Sequence, residues 1–198
     1  MKNDLTFNYS IKRLDKELQN NHSSIVIWFF GLSGSGKSTL CNSLEESLFL
    51  KKIKTVTLDG DTLRTGLNSD LNFSKEDRNE NIRRVSETSK ILINNGIVTL
   101  CSFITPLEKN RSLVNSIIGR DNIFWVYVDT PLDICSKRDT KGLYEKAFRG
   151  EIDEFTGVSS PFENPTDVDF TSDYKEDIKH ITEKLSNIIL KKIHLNEQ

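Results

Sequence analysis

Residues 25–39 read IVIWFFGLSGSGKST, an unbroken apolar run that leads directly into a glycine-rich loop. The apolar run of 25–30 predicts a buried strand of a parallel sheet. After the loop, Leu40, Leu44 and Leu48 fall at helical spacing, so the predicted order is strand, loop, helix. The loop itself has the spacing G-x-x-x-x-G-K-[ST] of a P-loop, a backbone cradle for the phosphates of a nucleotide.

The P-loop spacing assigns chemistry to individual residues. Its glycines let successive backbone N–H groups face one point at the start of a helix, where an anion binds. Lys37 is predicted to reach the β- and γ-phosphates of ATP, and the Ser38 hydroxyl to ligate Mg²⁺. The alternative is a glycine turn that only joins strand to helix, and the flanking patterns disfavour it. The predicted ATP-binding residues are Gly31, Leu32, Ser33, Gly34, Ser35, Gly36, Lys37, Ser38 and Thr39.

The composition is that of one soluble, enzyme-sized domain. The 198 residues are 36% hydrophobic and 28% charged, which suits a single core. A net charge of −2, from 27 basic and 29 acidic residues, predicts neither a nucleic-acid partner nor a membrane partner. The sequence has no secretion-signal pattern and no apolar stretch near the ~18 residues of a membrane helix. Three scattered cysteines are predicted to be free thiols in a reducing cytoplasm: Cys41, Cys101 and Cys135.

Strand and helix patterns alternate along the chain, which predicts an α/β fold with a parallel sheet covered by helices on both faces. Ligands of such folds bind at the carboxyl ends of the strands. We predict an N-terminal extension with a short helix at 1–24 and a single domain at 25–198 with a polar lid at about 139–168. The predicted strands are 25–30, 55–58, 97–102 and 123–128. The predicted helices are an extension helix with Ile11, Leu14 and Leu18, the helix after the P-loop, 74–94 capped by Ser74, one around 113–118, one beginning at Pro131, and 177–193.

An Asp-Gly-Asp triplet, Asp59 to Asp61, follows the second predicted strand. Residues two apart in an extended segment share a side, so both carboxylates are predicted to face the ligand crevice. A carboxylate there takes the proton of an attacking hydroxyl or orients a hydrated Mg²⁺. Because Asp-Gly is also common in turns, a solvated turn is an equal alternative.

Four arginines follow the triplet within 25 positions: Arg64, Arg78, Arg83 and Arg84. Guanidinium groups bind phosphate or sulfate through two parallel hydrogen bonds, which lysine does not reproduce. Arg64 and Arg78 are predicted to face the acceptor substrate. Arg83 and Arg84 are adjacent and do not share one helix face, so at least one of them is predicted to be a surface charge.

Two phenylalanines, Phe73 and Phe155, lie in polar segments. The ordinary interpretation is that each ring packs into the core. The functional interpretation is a stacking platform for a purine, worth about 1–3 kcal/mol per base. Both interpretations stay open at the level of sequence.

The motifs together resemble those of the adenylylsulfate kinase (APS kinase) family. The resemblance runs from about residue 25 to residue 171 and includes the P-loop, which alone identifies only a superfamily. Its more specific parts are LDGD at 58–61 with RTGLN at 64–68, DRNENIRR at 77–84 and KGLY at 141–144. It also includes LNFS at 71–74, SFITP at 102–106, VYVD at 126–129 and FTG at 155–157.

This resemblance implies a P-loop kinase that uses ATP and Mg²⁺ to phosphorylate the ribose 3′-hydroxyl of adenosine 5′-phosphosulfate (APS). The products are 3′-phosphoadenylyl sulfate (PAPS) and ADP, in sulfate assimilation. Asp61 is implied as the base or hydroxyl-orienting residue, and Phe73 and Phe155 as a sandwich around the adenine. A homodimer and a functional link to ATP sulfurylase are also implied. The implied APS contacts are Asp61, Arg64, Phe73, Arg78, Asn81, Ile104, Lys141 and Phe155.

The chain departs from the family pattern at three places. Thr105 stands where the family commonly has a serine that is phosphorylated in some members, and we expect Thr105 not to take that role. Thr140 replaces the usual proline before KGLY. The lid reads AFRG at 147–150 where the family commonly has ARAG, so the arginine is displaced by one position to Arg149. Arg138, just before the lid, is another candidate for a charge contact with ATP.

Three other classes of protein share part of the pattern. A P-loop kinase of sugars or nucleosides shares the donor site, but need not have both aromatics and the spacing of Asp61 and Arg64. A regulatory GTPase needs an N-K-x-D guanine reader, which the sequence lacks, and its D-x-x-G at 139–142 follows a helix pattern instead of a strand. A catalytically silent module is disfavoured by the intact Lys37, Ser38 and Asp61.

Overall fold

A five-stranded parallel sheet forms the centre of the molecule. The computed structural model describes residues 8–195, so the ends of the predicted extension and domain, 1–7 and 196–198, lie outside the described residues. The strand order is β2-β3-β1-β4-β5, and every neighbouring pair is parallel. The strands are β1 (Val26–Phe30), β2 (Thr55–Asp59), β3 (Val98–Ser102), β4 (Ile123–Asp129) and β5 (Phe170–Asp173).

Within residues 8–195, eight α-helices connect and cover the strands, and a short 3₁₀ turn at Arg120–Asn122 precedes β4. No helix among residues 8–195 is long and apolar enough to cross a membrane. The helices are α1 (Arg13–Asn20), α2 (Lys37–Leu50), α3 (Gly60–Arg64), α4 (Lys75–Ile93), α5 (Glu108–Ile118), α6 (Leu132–Arg138), α7 (Leu143–Phe148) and α8 (Ile178–Ile193).

The core lies in two layers because β1 is buried on both faces. Ile27 and Phe29 belong to one cluster with apolar residues of α2 and α8. Trp28 belongs to the cluster on the opposite face, with residues of α4 and α5. Alternate side chains of a strand point to opposite faces, so the continuous apolar run fills both layers. The predicted doubly covered parallel sheet is confirmed.

The predicted long helix after the second strand is also confirmed. The α4 helix begins after Ser74, whose hydroxyl accepts a hydrogen bond from the Asp77 N–H. Glu76 and Asp77 lie in its first turn, where negative charge is favourable.

Four sequence-based expectations about local structure were wrong or incomplete. The edge strand β5 was not predicted, because its four residues FTSD lack a long apolar run. Pro131 caps α6 instead of occupying its first turn. The extension helix is shorter than expected, because α1 begins at Arg13, after Ile11; its Leu14 and Leu18 are 59% and 56% accessible. The segment predicted as a lid contains the helix α7, which was not predicted.

Polar contacts hold α1 in place. The Arg13 guanidinium donates to the Ser24 carbonyl at 2.6 Å and to the Asn122 side chain at 2.8 Å. Glu17 is buried and accepts the Ser24 N–H at 2.7 Å. The short N-terminal helix therefore packs through its charged side chains.

Candidate active site

The P-loop lies between the end of β1 and the first turn of α2, as predicted. Gly31, Gly34 and Gly36 all have positive φ, at 148°, 71° and 103°. A Cβ added to Gly31 would lie 2.6 Å from the Val128 carbonyl oxygen, so a side chain there would collide with β4. Gly36 is the N-cap of α2, which turns the loop into a helix N-terminus that favours an anion.

Lys37 begins α2 and is buried. Its ammonium donates to the Leu32 carbonyl at 2.6 Å, across the loop. Burial lowers the pKa of Lys37 to about 8, and the nearby carboxylates Asp59 and Asp61 partly oppose this shift. A desolvated ammonium gains strongly from a bound anion, so the loop is suited to phosphate.

Ser38 and Asp59 bring two oxygen ligands together beside the loop. The Ser38 hydroxyl donates to the Asp59 carboxylate at 2.8 Å and lies 3.2 Å from the Ser102 hydroxyl. Mg²⁺ prefers oxygen ligands and takes one or two from a protein, with phosphate oxygens and waters completing its shell. The hydroxyl of Ser38 and the carboxylate of Asp59 fit that requirement. Sequence reasoning weighed Asp59 but did not assign it to the site.

The two carboxylates of the Asp-Gly-Asp triplet have different partners, contrary to the extended geometry expected from sequence. Asp59 ends β2 and caps α3 by accepting the Asp61 N–H at 3.0 Å. Asp61 therefore lies in the first turn of a helix, and its carboxylate pairs with the ammonium of Lys141 from the predicted lid. The two carboxylates are therefore directed to different partners, Asp59 to Ser38 and Asp61 to Lys141.

Arg64 and Phe73 form one contact on the acceptor side. The Arg64 guanidinium lies 4.3 Å from the centre of the Phe73 ring. It also donates to the carbonyl of Asn72 at 3.0 Å. Phe73 is 62% exposed, so its ring is open to a stacking partner. Burial lowers the pKa of Arg64, which remains a cation.

Arg78 joins the segment that carries Phe73 to the segment that carries Phe155. Its guanidinium donates to the Phe73 carbonyl at 2.8 Å, to the Glu154 carbonyl at 3.0 Å and to the Thr156 hydroxyl at 3.1 Å. Burial lowers the pKa of Arg78 as well. The two aromatics that are 82 positions apart in the sequence are thus connected through one arginine.

Phe155 packs inside a small cluster of the lid, in contrast to Phe73. It is only 8% exposed, and its ring meets that of Tyr144 edge-on, with centroids 5.0 Å apart. The Tyr144 hydroxyl donates to the Ser33 carbonyl of the P-loop at 2.9 Å. The lid therefore contacts the donor loop through Tyr144 while it buries Phe155.

Asn81 and Ile104 are held by other polar groups. The Asn81 side-chain carbonyl is buried and accepts from the Asn68 amide at 2.8 Å. The Ile104 backbone carbonyl accepts the Gly31 N–H at 3.3 Å, which ties the acceptor side to the first residue of the P-loop.

Thr105 is buried, at 1% exposure, and its hydroxyl accepts the Trp28 indole N–H at 2.9 Å. Its φ of 41° is unusual for a β-branched residue. The hydroxyl is therefore both enclosed and engaged in a hydrogen bond.

Arg138 lies over the P-loop, where its guanidinium is 3.4 Å from the carbonyl oxygens of Gly34 and Ser35. It borders a cavity of about 250 Å³ beside the loop. Sequence reasoning missed several of the residues that line this cavity, because they lie on the unpredicted strand β5 and just beyond it. Its lining includes Thr39, Thr130, Asp173 and Tyr174.

The remaining basic candidates pair with local carboxylates. Arg83 pairs with Glu80, and Arg84 pairs with Glu80 and Asp70. Arg149, the displaced lid arginine, pairs with Glu145 and Glu151. The expectation that at least one of Arg83 and Arg84 is a surface charge is consistent with this arrangement.

A sequence model of the family described as Adenylylsulphate kinase matches residues 23–173. The chain belongs to the adenylylsulphate kinase family. The adenylyl-sulfate kinase of Buchnera aphidicola subsp. Schizaphis graminum is 47% identical over 191 residues, which cover 96% of this chain and 90% of that protein. The adenylyl-sulfate kinase of Oceanobacillus iheyensis is 46% identical over 180 residues, which cover 91% of this chain and 89% of that protein.

A solved structure agrees with the sequence relatives. The Mycobacterium tuberculosis APS kinase CysC, solved in complex with AMPPNP and APS, superposes with a TM-score of 0.80 and 41% identity. The match covers 84% of this chain and 98% of that one. Membership of this family sets aside the regulatory GTPase as an alternative.

Proposed function

We propose that this protein is an adenylylsulfate kinase: it transfers the γ-phosphoryl group of ATP to the ribose 3′-hydroxyl of APS, forming PAPS and ADP. The observation that carries the proposal is the position of Asp61. Its backbone N–H donates to Asp59, which accepts the hydroxyl of the P-loop Ser38, and its carboxylate pairs with Lys141. A group that accepts the hydroxyl proton must lie between the two substrates, and Asp61 lies on the same short helix as Arg64, next in the chain to the residues that contact the P-loop.

On the donor side, we assign the backbone N–H groups of the P-loop and the Lys37 ammonium to the ATP phosphates. Lys37 exchanges its bond to the Leu32 carbonyl for the β- and γ-phosphates. The cavity beside Arg138 and Tyr174 opens next to the loop and suits the nucleoside end of ATP. Arg138 supplies positive charge at its rim.

Ser38 and Asp59 are the residues that would hold Mg²⁺. When bound, the ion neutralises charge on the β- and γ-phosphates and helps orient them for in-line transfer. The hydrogen bond from the Ser38 hydroxyl to the Asp59 carboxylate holds these two oxygens 2.8 Å apart.

On the acceptor side, we assign Arg64 and Arg78 to the phosphosulfate group and the exposed ring of Phe73 to the adenine. Asn81, Ile104, Lys141 and Phe155 are proposed to complete the pocket. These contacts require rearrangement on binding, since Arg78 and Lys141 have protein partners in this structure. Binding energy from the adenine and the phosphosulfate drives that exchange.

The chemical step is a direct transfer. The 3′-oxygen of APS forms a bond to the γ-phosphorus as the bond from that phosphorus to the β,γ-bridging oxygen breaks. The 3′-hydroxyl proton passes to the Asp61 carboxylate, and ADP leaves with the bridging oxygen. Lys37 and the P-loop amides stabilise the negative charge that accumulates on the leaving oxygen.

Three further assignments belong to the same proposal. A homodimer and a functional link to ATP sulfurylase are proposed from the resemblance of the sequence motifs to the adenylylsulfate kinase family. A cytoplasmic location is supported by the three cysteines, all of which are buried and free.

ADP release from ATP and Mg²⁺ tests the proposal when APS is set beside a panel of nucleosides and sugars. We expect APS to accelerate ADP release far more than any other acceptor. Equal or faster release with a sugar or an unsulfated nucleoside would assign the donor site to a different kinase reaction.

A further inference from the structure

One buried arginine outside the predicted site contacts the backbone of both the acceptor side and the lid. The Arg111 side chain, on α5, is 4% exposed. Its guanidinium donates to the carbonyls of Thr105 and Pro106, each at 3.3 Å, and to the Glu163 carbonyl at 3.1 Å. Its Nε donates to the Glu108 carboxylate at 3.0 Å. Neither the sequence motifs nor the proposed substrate contacts use this residue.

The segment 104–106, which we call the acceptor loop, has an unusual backbone that needs support. Thr105 has a φ of 41°, in the left-handed region that β-branched residues rarely adopt. Strain of this kind persists only where surrounding contacts determine the conformation. The Arg111 guanidinium supplies two of these contacts, one at Thr105 itself and one at the next residue.

The acceptor loop is bonded to the donor side on its opposite edge. The Trp28 indole N–H donates to the Thr105 hydroxyl, and the Gly31 N–H donates to the Ile104 carbonyl. Trp28 lies on β1, and Gly31 is the first residue of the P-loop. The acceptor loop is therefore held between the P-loop strand and Arg111.

Arg111 also fixes where the lid segment returns to the core. Arg111 donates to the Glu163 carbonyl, and next to that bond the Glu163 N–H donates to the Pro106 carbonyl at 2.9 Å. The Glu163 carboxylate accepts the Glu108 N–H at 2.5 Å. A single guanidinium thus connects the end of the lid segment to the acceptor loop. The Phe30 ring, 5.4 Å from the guanidinium carbon, adds a contact with β1.

We infer that Arg111 is a positioning residue for phosphoryl transfer: it sets the acceptor loop relative to the P-loop and to the end of the lid. This inference rests on the proposed function, because the loop matters through the substrate it faces. Lysine does not reproduce the role, since one ammonium lacks the planar fork that reaches three carbonyls at once. A misplacement of about 1 Å between two substrates costs up to ~10²-fold in rate.

Arg111→Lys, compared with Arg120→Lys, tests the inference. Arg120 is a matched control because it too joins the end of the lid segment and the residues just after it to the core, through Asp167, Asp169 and the Ile123 carbonyl, without touching 104–106. We expect Arg111→Lys to lower kcat/KM for APS by about 10–100-fold. The Kd of an ATP analogue should change less than about twofold, and Arg120→Lys should leave both values near wild type.

The indole ¹⁵N–¹H spectrum supplies a readout that is independent of activity. The chain has two tryptophans, and Trp125→Phe assigns their two indole signals. The Trp28 indole bonds to Thr105, whereas the Trp125 indole bonds to Asn115 of α5 at 3.1 Å. If Arg111 positions the acceptor loop, Arg111→Lys shifts the Trp28 signal more than the Trp125 signal.

Unchanged kcat/KM for APS with an unchanged Trp28 signal would overturn the inference. So would equal losses in Arg111→Lys and Arg120→Lys that follow their melting temperatures, because these indicate general destabilisation. If Arg111→Lys does not fold, Glu108→Ala removes only the exposed carboxylate partner. The inference then requires a loss of about threefold or more in kcat/KM for APS and a shifted Trp28 signal. If the wild type does not phosphorylate APS, the proposed function fails, while the Trp28 signal still tests the contact.

Discussion

The donor half and the acceptor half of the site are built from different parts of the chain. The donor half, 31–39, is one continuous segment between β1 and α2, shaped by backbone groups and by glycines with positive φ. The proposed acceptor half is assembled from α3, the residues just before α4, α4 itself, the loop after β3 and the lid. A local motif specifies the first, whereas only the complete fold brings the second together.

The two halves also differ in how ready they are for a ligand. The P-loop presents a helix N-terminus to phosphate, and the buried Lys37 ammonium has to exchange its bond to the Leu32 carbonyl. On the acceptor side, Asp61 pairs with Lys141, and Arg78 bonds to the backbone of the lid. Acceptor binding must therefore exchange protein contacts for substrate contacts, which couples recognition of APS to the position of the lid.

Lys37→Ala gives the largest expected effect, because it removes the charge that faces the transferring phosphoryl group. We expect kcat to fall by at least about 10²–10³-fold. Circular dichroism should be unchanged. The exposed Lys51, at the other end of α2, provides the matched control Lys51→Ala, which should keep wild-type activity. A folded Lys37→Ala enzyme with a near-normal rate would exclude the P-loop assignment.

Asp61→Asn tests the boundary between the two halves. The amide keeps the size of the side chain but cannot accept the 3′-hydroxyl proton, so kcat should fall by about 10²-fold or more. Steady-state kinetics with saturating APS measure this loss. Asp133→Asn, a change at an exposed carboxylate paired with Lys137, is the control and should be neutral. Full activity in Asp61→Asn would leave Asp61 with only its structural place in α3.

The two aromatics sharpen the comparison, since one is exposed and the other is buried. Phe73→Ala should lower kcat/KM for APS by the equivalent of about 1–3 kcal/mol of transition-state stabilisation, with little change in melting temperature. Phe155→Ala should cause a similar loss for APS and also lower the melting temperature, because its ring packs against Tyr144.

Affinities for an ATP analogue and for APS, measured on both variants, separate stacking from core packing. Leu67→Ala, at another exposed apolar residue, is the control. Equal weakening of both nucleotides by either variant would contradict the clamp around adenine.

The pH dependence of donor binding probes Lys37 in the ligand-free protein. Its pKa lies near 8, below the ordinary 10.5, and a bound polyphosphate favours the protonated form. Above pH 8 the Kd of an ATP analogue should therefore rise, by at most about tenfold per pH unit.

The lowered pKa of Lys37 also makes the stability of the folded protein depend on pH. Below pH 8 both the folded and the unfolded states carry a protonated Lys37, so the full burial penalty is present. Between pH 8 and 10.5 the folded state loses the proton first, and this penalty diminishes.

Titration calorimetry on the wild type and Lys37→Met should show the pH-dependent binding of the ATP analogue only in the wild type. An identical pH profile in both proteins would assign the titration to another group.

Thr105→Ala gives the smallest expected effect on catalysis. The variant keeps the backbone bonds of Ile104 and Thr105, so kcat should remain within about threefold of wild type. The Trp28 indole loses its partner, which should cost about 1–3 kcal/mol of unfolding free energy. Mass spectrometry provides the opposing outcome: an isolated phosphothreonine enzyme that passes its phosphate to APS would replace direct transfer with a two-step route.

The features that the sequence predicted are those set by local signals, and the features that it missed depend on the complete fold. The P-loop, the sheet and α4 were predicted because apolar runs, helical spacing and capping residues are local signals. The β5 strand and the cavity beside Tyr174 were not, since a short polar edge strand carries no such signal. The separation of Asp59 from Asp61 depends on a capping bond at the start of α3. The bridge of Arg78 between Phe73 and Glu154 depends on the whole fold and has no counterpart in sequence spacing.

The central claim is that the acceptor half directs the γ-phosphoryl group to one hydroxyl of APS. Phosphorus NMR of the product formed from ATP, Mg²⁺ and APS tests it most directly. We expect one new phosphomonoester, coupled to the ribose 3′-proton, formed in equal amount with ADP. Inorganic phosphate in place of that ester, or an ester at another position, would contradict the claim.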